Sequence, residues 1–121
     1  MVKQVVEMYT ALTLDDPARF RAVVAPGFYA FDGGERYEGD ALLTLIATAH
    51  AAGKRFQWNV SQPVVRIDCT TALITYTNVG AMGDATDMQP RSWLESATLR
   101  FAAGSWRLAF FHSTRVPKPA P

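Results

Sequence analysis

The chain has 121 residues, 49% of them hydrophobic and 19% charged, with 12 basic residues against 11 acidic ones and a net charge of +1. This is the composition of one folded domain that buries its own core, which argues against intrinsic disorder. Acids and bases are interspersed, so the basic stripe of a nucleic-acid binder is missing, and no apolar run has the length of a membrane span.

The elements follow in chain order. Val2, Val5, Val6, Tyr9 and Leu12 recur at helical spacing and predict a first helix with one apolar face. Asp15-Asp16-Pro17 restarts the chain, with Asp16 suited to an N-cap and Pro17 to the first helical position. A second helix runs through Phe20, Val23 and Val24 until Pro26-Gly27 stops it. Phe28-Tyr29-Ala30-Phe31 reads as a short strand, Asp32-Gly33-Gly34-Glu35 as a hairpin turn and Arg36-Tyr37-Glu38 as the returning strand. Gly39-Asp40 caps a third helix from Ala41 to Ala52, with Leu42, Leu45, Ile46 and Ala49 on its apolar side, and Gly53 ends it.

From Lys54 the apolar period falls to two. Four long strands fit, at about 54–68, 72–82, 91–101 and 105–116, joined by short turns and therefore antiparallel neighbours. Pro63 inside the first of them predicts a bulge or an edge. The single cysteine, Cys69, falls in a turn and excludes an internal disulfide. The N-terminus lacks a signal-peptide core, so a reducing cytoplasm is the expected location. Residues 1–116 make one expected domain, and the proline-rich residues 117–121 a loose tail.

Three stretches carry a family resemblance: Tyr9 to Leu12 with Asp16, Phe20 and Val23-Val24; Phe31-Asp32-Gly33-Gly34 with Tyr37 to Asp40; and Trp93 to Ala97 with Gly104 to Leu108 and His112 to Arg115. With the order helix, helix, hairpin, helix and sheet, the chain resembles the nuclear transport factor 2-like superfamily, and within it the SnoaL-like domains. The resemblance spans about residues 2–116. It implies an α+β fold: a conical, curved antiparallel sheet packed against three N-terminal helices, with a pocket between them. It also implies a homodimer through the other face of the sheet. The superfamily includes ketosteroid isomerase, cyclases, dehydratases and transport factors, so the fold does not name a function.

Candidate site residues come from the expected registers. If Phe101 pairs with Trp106, then Leu99 faces Leu108, Ala97 faces Phe110, Glu95 faces His112 and Trp93 faces Thr114, all on one sheet face. If Met82 opposes Arg91, Asn78 falls beside Glu95. The expected cluster is Asn78, Glu95 and His112, flanked by Trp93 and Trp58. Glu95 and His112 would act as acid and base or hold a polar ligand group, and they equally suit a satisfied structural pair. A slip of one residue would reverse the faces.

Asp32 is the second catalytic candidate, since by resemblance it falls near the catalytic aspartate of ketosteroid isomerase, and Tyr9 near the oxyanion-hole tyrosine. Asp32 before two glycines is also a good turn residue. Tyr29 joins Tyr9 among the ligand-contact candidates. His50 reads as a solvated residue of the third helix. Two histidines without ligand spacing indicate no metal site, and no cofactor is expected. Three functions remain open: a binder of a small, partly apolar molecule; a cofactor-free isomerase, cyclase or dehydratase using Asp32 or Glu95 with His112; and a dimeric adaptor whose sheet face takes a protein partner.

Overall fold

The computed structural model describes residues 1–117. Helix α1 (Val2–Leu14) turns Val5, Met8, Tyr9, Ala11 and Leu12 inward. Helix α2 (Pro17–Val23) begins as expected, with the Asp16 side chain accepting the Arg19 backbone N–H at 3.2 Å and proline in the first turn. Strand β1 (Val24–Asp32) follows at once, so Pro26 and Gly27 interrupt the strand rather than the helix: its register shifts between Val24 and Tyr29. Gly33 and Gly34, with φ of 60° and 80°, form the two-residue turn into β2 (Glu35–Glu38). Two consecutive positive φ angles are what a type I′ hairpin needs.

Helix α3 (Ala41–Ala51) buries Leu42, Leu43 and Ile46, whereas the expected Leu45 is exposed. Asp40 precedes α3 without a side-chain cap bond and binds the Arg21 guanidinium at 2.6 Å instead. The expected strand 54–68 is broken at Trp58-Asn59 into β3 (Lys54–Gln57) and β4 (Val60–Asp68), with the expected bulge on either side of Pro63. The long strands β5 (Thr71–Asp84), β6 (Met88–Ala102) and β7 (Ser105–Arg115) complete the chain. Of the proline-rich tail, residues 118–121 lie outside the described part.

The sheet order is β2-β1-β7-β6-β5-β3, and β4 shares the edge of β5 with β3. Most pairs are antiparallel, but β1 and β7 run parallel, so the sheet is mixed rather than purely antiparallel. The short-connection rule covers only sequential strands; β1 and β7 are joined by most of the chain and are free to meet in either sense.

The sheet curls around α1 and α3. Ala72, Ile74, Tyr76 and Asn78 of β5 face inward opposite Leu99, Ala97, Glu95 and Trp93 of β6. On β7 the inward residues are Leu108, Phe111 and Ser113, a change of phase between 108 and 111. Its cause is a bulge: Leu99 faces Leu108 as expected, but Thr98 faces Phe110 and Ala97 faces Phe111. Phe20, Met8, Ile74, Leu99 and Leu108 fill the core between helices and sheet. No helix among the described residues is long and apolar enough to cross a membrane.

Candidate functional site

A cavity of about 130 Å³ lies between α1, α3 and the concave sheet. Tyr9 and Leu12 of α1, Leu42 and Ile46 of α3, Phe56 and Trp58 around the end of β3, and Phe111 of β7 form apolar walls. Phe56 and Trp58 stack at 5.2 Å and 12°, and Trp58 meets the Tyr9 ring at 5.3 Å. Asp32, Glu95, Ser113 and Arg115 bring polar groups to the same space.

Glu95 is 8% exposed and anchors a closed hydrogen-bond network. The Tyr9 hydroxyl donates to its Oε1, the Asn78 amide donates to the same oxygen at 3.4 Å, and the Ser113 hydroxyl donates to Oε2 at 2.6 Å. The Tyr76 hydroxyl bonds the Tyr9 hydroxyl at 3.0 Å. Asn78 cannot turn over, because its Oδ1 already accepts the backbone N–H of Asn59 at 2.9 Å. Burial raises the Glu95 carboxyl above its ordinary range, and the donors from Ser113, Tyr9, Tyr76 and Asn78 only partly oppose this. Burial, followed by the nearby Glu95 charge, pushes both the Tyr9 and the Tyr76 phenols upward. At neutral pH the phenols are therefore hydrogen-bond donors and not phenolates.

Asp32 ends β1, opposite Glu35 across the hairpin and beside Ser113 across the parallel ladder. It fills both roles read from the sequence, since it leads into the glycine turn and also borders the cavity. Burial raises its carboxyl, against smaller opposing effects of the Gly33 N–H and the charges of Arg115 and His112.

The structure thus brings Tyr9, Asp32, Trp58, Trp93 and Glu95 to one cavity, with Asn78 fully buried behind Glu95. It separates two candidates from it. His112 opposes Ser96, not Glu95, and is exposed on the convex face, where its ring lies 5.6 Å from Phe31. The bulge at Thr98/Leu99 reverses the face of β7 beyond it, so the expected Glu95–His112 pair does not form. Tyr29 is on that outer face too, 4.8 Å from Phe110 and beneath the Arg36 guanidinium at 4.3 Å.

Asn78 reaches Glu95 through a different register from the expected one: Gly80, not Met82, faces Arg91, and Asn78 is diagonal to Glu95. His50 is not simply solvated, for its Nδ1 lies 2.8 Å from the Asp15 carboxylate. Tyr76, Ser113 and Arg115 join the site in addition to the expected residues. Tyr76 was reachable, two positions before Asn78 on one strand face, while Ser113 and Arg115 were hidden by the bulge. Among the described residues, no group of three or more His, Cys, Asp or Glu side chains is arranged to hold a metal ion.

No protein-family model matches the chain, and no curated protein matches its sequence. Solved structures do match. The CaMKII hub of S. rosetta superposes with a TM-score of 0.79 at 17% identity, over 95% of this chain and 93% of that one. A proposed dehydratase of the nuclear transport factor 2-like family from Streptomyces avermitilis gives 0.79 at 17%, over 95% and 92%. A nuclear transport factor 2-like protein from Cytophaga hutchinsonii gives 0.77 at 10%, over 95% and 94%. At these identities the likeness establishes a fold, not a shared activity.

Proposed function

From the premise that the chain has the nuclear transport factor 2-like fold, we propose that it binds a small, partly apolar molecule in the cavity beneath α1 and α3. The observation that carries this reading is the cavity itself: aromatic and aliphatic walls, with Asp32 and Glu95 as convergent polar groups. Its volume of about 130 Å³ sets the scale of the occupant. Cavities of roughly 150 Å³ accept benzene, so a single ring with a small head group is the right size.

The three tryptophans supply the test. Trp58 and Trp93 line the cavity, whereas Trp106 packs on the core away from it. On titration with phenol and cyclohexanone, the indole N–H resonances of Trp58 and Trp93 are expected to shift while that of Trp106 stays. Three unmoved resonances at saturating probe would end this proposal.

A second reading is favoured by a separate observation: two carboxyl groups with burial-raised protonation share the cavity. A half-buried aspartate beside an apolar wall suits proton abstraction next to a carbonyl, the step behind cofactor-free isomerases, cyclases and dehydratases. Asp32 takes the base role in it, and the Glu95–His112 pairing has no part. Deuterium uptake at the α-carbons of cyclohexanone in D2O, lost on Asp32→Asn, is the expected signature.

Self-association belongs to the convex face. Val64, Leu73, Val79 and Leu94 are exposed there, Leu94 to 60%, and the Tyr29, Phe31 and Phe110 rings continue the apolar area. These apolar side chains alternate with Thr75, Thr77, Ser96 and His112, the mixed surface that suits an interface between copies. The structural relatives include a proposed Ca/calmodulin-dependent kinase II association domain from Exiguobacterium sibiricum, which supports the same reading.

A further inference from the structure

Among the described residues one cation borders the cavity, and its donors are largely unspent. Arg115 closes β7 opposite Trp93 and lines the cavity beside Asp32 and Met82. Among the described residues, Arg115 holds no carboxylate, and neither do Arg55, Arg66, Arg91, Arg100 and Arg107; what sets it apart is that it lines the cavity. Its one side-chain partner is the Met82 sulfur at 3.0 Å, a weak acceptor facing a group with five N–H donors. The deep end of the cavity is the opposite case. Both Glu95 oxygens are occupied by Tyr9, Asn78 and Ser113, and the Asn78 amide is locked in place from behind. The free hydrogen-bonding capacity thus sits on Arg115 and Asp32, and the donors among it are those of the guanidinium.

We infer that the occupant is a small cyclic carboxylate, with its ring against Trp58 and Phe56 and its carboxylate on the Arg115 guanidinium. This deepens the cavity-binding proposal and rests on it. A planar fork of N–H donors matches a carboxylate with two parallel hydrogen bonds. A phosphate fits less well, because a dianion would rest on a single cation with the Asp32 and Glu95 carboxyl groups close by. Asp32, the anionic neighbour of Arg115, competes for the guanidinium and weakens the ligand's hold.

The test compares benzoate, benzamide and benzene as probes on the full chain, read by calorimetry and by the Trp58 and Trp93 indole resonances. Benzoate is expected to bind at least about tenfold tighter than its neutral isostere benzamide, the scale of one charge-assisted pair. Arg115→Gln, at an exposed strand end where the fold is not at risk, is expected to erase that preference. Asp32→Asn is expected to tighten benzoate severalfold relative to benzamide. Equal binding of benzoate and benzamide, or a preference that survives Arg115→Gln, would overturn the inference. If benzene or benzamide moves the indoles and benzoate does not, the carboxylate assignment fails while the cavity remains a binding site; if none of the three moves them, both fall.

Discussion

Glu95 gathers three donors at a place from which water is excluded, and its protonation links the site to stability. Its native carboxyl is raised, chiefly by burial, and so is that of Asp32. In the unfolded chain both groups lose their protons in the ordinary range near pH 4. Between that range and the raised native values, the folded protein binds more protons than the unfolded one. Stability from these groups is therefore complete at acid pH and declines as pH rises through the native values. The expected outcome is a melting temperature that falls across this window, with a flatter profile in Glu95→Gln. A variant profile parallel to the parent's would contradict it.

The Tyr9 hydroxyl has a narrower role. Tyr9→Phe keeps the ring against Trp58 and Phe111 and removes one donor from a buried carboxyl. A cost of about 1–3 kcal/mol in denaturant unfolding is expected. If the cost is near zero, the network does not hold Glu95. At this scale the pattern of the sequence accounts for part of the cavity lining. The inward places of Trp93 and Glu95 follow from the alternation of β6 and that of Tyr9 from the apolar stripe of α1, whereas Asp32 was reached only by resemblance and Asn78 through a register two residues off.

Strand β7 shows where that legibility stops. Its alternation before and after the bulge is regular, and the pairs Phe101–Trp106 and Leu99–Leu108 follow from the hairpin turn alone. The extra residue is Ala109, which has no partner opposite Thr98-Leu99, and a single alanine carries no bulge signal. Hence alternation alone puts His112 inside and Ser113 outside, the reverse of their places. The β3–β4 break was hidden for a related reason, namely that the apolar pattern crosses Trp58-Asn59 without a glycine or proline.

Gly80 of β5 does carry a signal, in that a Cβ there would sit 1.8 Å from the Gln57 carbonyl oxygen. The end of β3 reaches β5 only because that side chain is missing. Gly80→Ala is expected to destabilise the fold by about 1–3 kcal/mol and to displace Trp58 from the cavity. Loss of the Trp58 indole shift in the ring titration, with that of Trp93 retained, would report it. An unchanged melting temperature would mean that the β3 edge is looser than its geometry implies.

For the whole molecule, the convex face is the main undischarged surface. Leu94→Asp places a charge at its centre, on a side chain already 60% exposed, so the isolated fold bears little cost. Sedimentation is expected to show the parent chain as a dimer and the variant as a monomer, with benzoate binding intact in both. A variant that stays dimeric would move the interface elsewhere.

The sheet order carries a last consequence. Strand β1, complete by Asp32, finds its parallel partner only in β7, which ends at Arg115, and its other neighbour is merely the short β2. During synthesis the N-terminal helices and hairpin emerge long before the strand that docks them. Until β7 emerges the growing chain presents two open strand edges, β1 and β6, with the Phe28 and Ala30 face uncovered. Edges of this kind template aggregation. The protein is accordingly a candidate for chaperone capture on the ribosome, and a chain stopped before Ser105 is expected to accumulate as insoluble material and not as a smaller folded domain.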